Sequence, residues 1–207
     1  MTQAEDQEEQ PQGKTRWRRF ALTMGISTAV TAGLVVLTGQ GVIAASFSVS
    51  GLPFVVTADE LQGTGFEQYA VLDTMEPGSP NEGDTGGQLI LIVSAVDNAK
   101  LTNLCQSINL GGTNLKLTAG DAQHPVTATK LIVDSDLISG DASFTSIDIG
   151  QDASTLTRVP GATGGIGIFG QQAETVRIQH LRQNNYATTA ATFILPNLHM
   201  SFSDEGC

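Results

Sequence analysis

Basic side chains are scarce in this sequence. Ten Lys and Arg stand against 21 Asp and Glu, giving a net charge of −11 over 207 residues. A surface of that sign repels phosphate backbones and anionic head groups, so no nucleic-acid partner is expected. Cysteine is nearly absent, with only Cys105 and Cys207. Two cysteines exclude a disulfide-dense scaffold. The three histidines, His124, His180 and His199, show no His-Glu-x-x-His or other paired spacing, so no zinc site is expected.

Motifs of hydrolytic and nucleotide chemistry are missing as well. The closest match to a Gly-x-Ser-x-Gly elbow lies at Gly25 to Ala29, inside an apolar run, where no strand-to-helix turn can present the serine. Gly165-x-Gly167-x-x-Gly170 has dinucleotide spacing, but Pro160 and Gly161 precede it, a β-patterned segment follows it, and nothing acidic stands about 20 residues on. Neither nucleotide nor other cofactor is expected. Residues 159 to 170 read as an inter-strand loop whose Ile166, Ile168 and Phe169 fold back on the core. Asp134, Asp136 and Asp141 depart from the order of a calcium loop and read as a solvated turn.

What is present begins at the N-terminus. Residues 1 to 13 are polar and acidic and cannot bury enough apolar surface to order themselves. Lys14, Arg16, Arg18 and Arg19 follow, then 19 residues without a charge, Phe20 to Thr38. That run is long enough for one membrane span, and the basic cluster before it orients the N-terminus toward the cytoplasm. The division expected is a cytoplasmic tail over residues 1 to 19, a transmembrane or signal helix over 20 to 45, and an extracellular domain over 46 to 207. A retained single-pass anchor is preferred because the run exceeds a signal h-region. Cleavage near Ala44 or Ala45, giving a secreted domain, is the alternative. The first 45 residues hold four acidic and four basic side chains, so the whole negative excess falls in the exported part.

From residue 47 onward, strand-like segments bounded by Gly, Asn, Asp and Pro recur. "QLILIVSAV" is apolar on both faces, as a central strand would be. Elsewhere Leu115 with Leu117, Leu131 with Val133, and Val176 with Ile178 alternate onto one face, and the parity change between Phe144 and Ile147 predicts a β-bulge. "NAKLTNLCQSINLGGTNLKLTAG", "TATKLIVDSDLISGDASFTSIDIG" and the segment from Gln171 to Phe202 each read as a hairpin. The fold expected is mainly β, an antiparallel sandwich or open barrel, with an irregular β-solenoid as the alternative. Residues 73 to 88 read as a long exposed loop. In an oxidising compartment Cys105 and Cys207 are expected to form one disulfide. The other reading is a buried Cys105 thiol with a free Cys207.

With "GTGFEQY", "LTNLCQS", "SGDASF", "IGQDAS", "FGQQAE" and "LRQNNYATTAATF" in view, the chain resembles a family of actinobacterial exported proteins of unknown function, often labelled cholesterol esterase. The likeness runs from Arg16 to Cys207. It implies a small multi-span membrane protein as companion, and by analogy of fold alone a likeness to lipid-carrying β proteins of the envelope. The functional expectation is a non-enzymatic envelope protein binding an apolar ligand such as a lipid, or a membrane partner. Its rivals are a self-associating surface module and a lipid esterase drawing on Ser143, Ser146 or Ser154 with His180 or His199.

Overall fold

The computed structural model describes residues 49–79 and 81–207. The basic cluster Lys14, Arg16, Arg18 and Arg19, the apolar run and the cleavage candidates Ala44 and Ala45 lie outside the described residues. Among the described residues no helix is long and apolar enough to cross a membrane.

Nine strands account for most of the domain: β1 (Phe54–Thr74), β2 (Gln88–Thr102), β3 (Leu104–Asn109), β4 (Asn114–Ala119), β5 (Val126–Thr145), β6 (Asp148–Asp152), β7 (Phe169–Thr189), β8 (Thr192–Ile194) and β9 (His199–Ser203). One four-residue helix, α1 (Glu82–Thr85), sits between β1 and β2. All ladders between these strands are antiparallel. β1 pairs with β2, β2 with β5, β5 with β7, and β7 with β1 again, so the pairing returns to its starting strand.

Curvature makes that return feasible. Val49 donates its backbone N–H to the carbonyl of Thr74 and bridges Met75, although it stands only five residues before the start of β1. Five residues reach about 17 Å, whereas a straight strand of this length would span about 65 Å. β1 therefore bends until its two ends lie within roughly 20 Å of each other, with Val49, Met75 and Ala187 packed together beside its C-terminal end.

Two of the three expected hairpins are corrected by the structure. "TATKLIVDSDLISGDASFT" does not turn but belongs to the 20-residue β5, and the polar "QHLRQNNY" continues within the 21-residue β7. Register shifts between Asp134 and Ser135, Ser135 and Leu137, and Ser139 and Asp141 let β5 bend without breaking. Lys130 and His180, both at positive φ, mark further irregularities. The third expectation matches a hairpin, since β3 and β4 pair from Leu104 with Ala119 to Asn109 with Asn114.

The irregularity expected between Phe144 and Ile147 also lies elsewhere. Ser146 takes a positive φ there, but the register shift falls between Ile149 and Gln151. The main core runs through Val56, Leu61, Phe66, Val96, Leu101, Leu104, Val126, Leu131, Val133, Val176, Ile178 and Leu181. At Gly63 this interior leaves no room for a side chain: a Cβ there would come 2.4 Å from Val96 Cγ1 and 3.0 Å from Val176 Cγ1.

A second, smaller core lies under the segment from Ala153 to Gly164. Tyr69 and Val93 pack there against Ala153 and Leu156, while Ala95 packs against Val159 and Ala162. The expectation that Ile166, Ile168 and Phe169 fold back on the core is overturned, for they are 87%, 38% and 60% exposed. Gly167 at φ 79° turns the chain outward, its N–H donating to Asp152, and β7 starts two residues later. Gly170 lies in that strand because a Cβ would press to 3.0 Å from the Ala153 Cα. The glycine spacing therefore serves a turn and a close packing, with a strand where a dinucleotide motif needs a helix.

Candidate functional site

The site is built from the face that β3, β4 and β9 present beside the start of β1. Directly opposed residues of antiparallel strands share a face, and residues two apart on a strand share it as well. One row across the strands reads Met200, Leu117, Gln106, Val56 and Gln183. The next begins Phe202, Leu115, Ile108, and Phe54 pairs with Asn185 on the neighbouring ladder. Val56 is buried in the main core and Phe54 and Leu117 pack against its rim. Outward from there the apolar surface continues uncovered to Met200 and Phe202, 56% and 72% exposed.

Inward, this surface leads to a cavity of about 40 Å3 whose walls include Val56, Leu104, Gln106, Val133, Gln183, Asn185 and Phe193. A site needs only about 10 to 15 Å3 to hold one water, so the space fits a hydroxyl or a water, but not an acyl chain. Amides and a hydroxyl interrupt its apolar lining. Ser94 accepts from Gln68 at 2.9 Å, and Gln68 in turn accepts from Gln171 at 2.6 Å. Asn185 is 1% exposed and its Oδ1 has no hydrogen-bond partner. An unpaired buried carbonyl costs about 1 to 3 kcal/mol, and this oxygen is an unpaired acceptor on a residue of the cavity wall.

The opposite face of β3 and β4 is closed by the C-terminal tail. Cys105 and Cys207 form a disulfide, with Cα atoms 5.9 Å apart. The Cys207 N–H donates to Ser107 Oγ, Asn114 donates to the Asp204 carbonyl, and Arg182 donates to the carbonyl of Cys207. These bonds cover the polar face and leave the apolar one open. The bridge thereby holds β3, which carries Gln106 and Ile108, against a fixed tail.

Remaining sequence candidates are dispersed. His180 Nδ1 lies 2.9 Å from Asp141 on the exposed surface. Ser146 donates to Glu174 and Ser154 to Asp152, so neither hydroxyl is directed at a histidine. Asp136 accepts from Asn184 and Tyr186, while burial, reinforced by the charge of Asp73, pushes the Asp134 carboxyl up to about 6. Among the described residues no group of three or more His, Cys, Asp or Glu is arranged to hold a metal. The expected loop over residues 73 to 88 is mostly exposed, but Thr74 belongs to β1 and Met75 is buried.

Sequence reasoning missed Asn185 and Gln106. A polar residue within "LRQNNY" reads as turn, and only its pairing across the sheet places it inside. The structure thus defines an antiparallel β domain, stapled at its C-terminus, with an open apolar face that ends in an amide-lined cavity. The chain belongs to DUF6230, a family of unknown function, whose model matches residues 50–207. No curated protein and no solved structure matches it.

Proposed function

We propose that this domain is a non-enzymatic envelope protein in which the ring of β1, β2, β5 and β7 acts as a small barrel and the face of β3, β4 and β9 binds an apolar ligand. The single observation that carries the reading is the continuity from exposed Met200 and Phe202, through Leu115, Leu117 and Ile108, to the unpaired Asn185 Oδ1. A hydrocarbon chain covers the exposed side chains, at about 25 cal/mol per Å2 of apolar surface removed from water. Its polar end donates a hydrogen bond into the cavity. A lipid whose head bears a hydroxyl or amide N–H has that chemistry, while a carboxylate fits poorly because it only accepts.

The charge distribution supports the same reading. The residues forming the face carry no charge, in a domain with seventeen acidic and six basic side chains after residue 45. An anchor through residues 20 to 38, with Lys14, Arg16, Arg18 and Arg19 on the cytoplasmic side, would hold the domain close to a lipid source. Ten residues separate Thr38 from Val49, where the chain joins the fold, a reach of about 35 Å. Extraction of the purified full chain with organic solvent, followed by mass spectrometry, tests this. Recovery of a stoichiometric lipid is the expected result, and protein that carries none and takes up none from mixed vesicles overturns it.

A further inference from the structure

The main path of the sheet ends in β6 and β9, with the three-residue β8 set aside on β5, and these two ends are built differently. β6 is guarded. It carries Asp148 and Asp152, Gly150 takes a φ of 90°, and the register shifts between Ile149 and Gln151. Charges and irregularities of this kind are how sheets block pairing with another chain. β9 has neither. His199, Met200, Ser201, Phe202 and Ser203 include no acidic, lysine, arginine or proline residue, and their pairing with β4 runs from Asn114 with Ser203 to Thr118 with His199 without a shift. The uncharged stretch containing β9 extends from Gln183 to Ser203. Among the described residues no strand pairs with the other edge of β9.

The sequence of β9 also selects its partner. In an antiparallel pair of two β9 strands centred on Ser201, Met200 of each copy faces Phe202 of the other, and His199 faces Ser203. Both Met and Phe lie on the apolar face, so the arrangement makes two sulfur–aromatic contacts and sets no polar side chain against an apolar one. It is self-complementary about a two-fold axis, as an isologous dimer requires. We infer that two copies of this chain associate through β9, extending the sheet from β3, β4 and β9 of one copy into β9, β4 and β3 of the other. The two apolar faces then become one surface twice as wide. This inference stands on the strand edge and is independent of whether a lipid is bound.

The test is sedimentation equilibrium of the full chain in detergent, with Met200→Lys and Phe202→Lys compared at matched thermal stability. The unmodified chain is expected to dimerise, and each substitution to raise the dissociation constant by about tenfold or more, since it removes both symmetric contacts and sets like charges near the axis. Should a lysine variant fail to fold, Ser201→Cys decides. Directly paired Cα atoms stand about 4.5 to 5.5 Å apart, within disulfide range, so mild oxidation gives a covalent dimer, whereas Ile149→Cys on the β6 edge gives none. A chain that stays monomeric at all concentrations overturns the inference. So does a dimer that is indifferent to both lysines, or one in which Ser201→Cys does not cross-link.

Discussion

Val159 donates its backbone N–H to Glu67 Oε1 at 2.6 Å, joining the segment over the second core to a side chain that is fully buried. The other carboxylate oxygen, Oε2, has no hydrogen-bond partner. Burial pushes this carboxyl up to about 6, against the opposing effect of the backbone bonds from Val159 and Arg158 and the charge of Lys130. The segment is thus held by a charge kept out of water, which works against its own ionisation.

The sign of the resulting pH dependence follows. A carboxyl whose folded value lies above its unfolded value of 4.5 contributes stability that is fully present below pH 4.5 and is lost as pH rises past about 6. For Glu67 the full difference, from well below pH 4.5 to pH 7.5, is about 2 kcal/mol, and Asp134, raised in the same direction, adds to it. Thermal melts should show the domain more stable at pH 5 than at pH 7.5. Glu67→Gln keeps the acceptor for Val159 and removes the charge, so it should flatten this dependence. A melting temperature that falls steadily on acidification from pH 7.5 to 5 would count against the account.

The disulfide carries a separate prediction. It closes a loop across a separation of 102 residues, for which chain entropy gives up to about 4.7 kcal/mol and measured losses run to about 2 to 4 kcal/mol. Replacing both Cys105 and Cys207 with serine should lower the melting temperature by several degrees. Hydrogen exchange should rise first at β9 and the tail, where Asn114 and Ser107 hold residues 204 and 207. Equal protection of β9 in both forms would show that the tail is held without the bridge.

Gly63 offers a test of packing. Gly63→Ala places a methyl 2.4 Å from Val96 Cγ1, which the interior can relieve only by displacement, at about 1 to 3 kcal/mol. Val96→Ala alone leaves a void. Combined, the two substitutions should be less destabilising than the sum of their separate effects, by about 1 kcal/mol or more in a denaturation cycle. Strict additivity would mean that the added methyl and the Val96 side chain do not meet there.

Much of the strand content was legible, because Leu131, Val133, Val176 and Ile178 alternate in the sequence and are all buried. "QLILIVSAV" likewise becomes β2, flanked by β1 and β5. Strand length was not legible. Polar runs such as "QHLRQNNY" satisfy the local criteria for a turn, while the structure hides Gln183 and Asn185 from solvent inside a continuous strand. Nor could alternation alone place Gln106 between Leu117 and Val56. That depends on the registers joining Leu117 to Gln106, Gln106 to Val56 and Val56 to Gln183, residues 11, 50 and 127 positions apart, and a one-residue slip in any of them would turn the face over. The outward course of Ile166 and Phe169 escaped for a local reason, since apolar residues beside glycines fit a buried turn and an exposed one equally well.

The apolar face and the Asn185 cavity are tested together by calorimetric titration of the full chain with two probes of equal length, a long-chain alkanol and the corresponding alkane, each delivered from detergent. The account predicts that the unmodified chain binds the alkanol more tightly than the alkane. Asn185→Leu should abolish that preference, and Phe202→Asp should weaken both by about tenfold, since a charge then faces the chain. Failure of the unmodified chain to bind either probe, or equal affinity for the two with Asn185 intact, would contradict it.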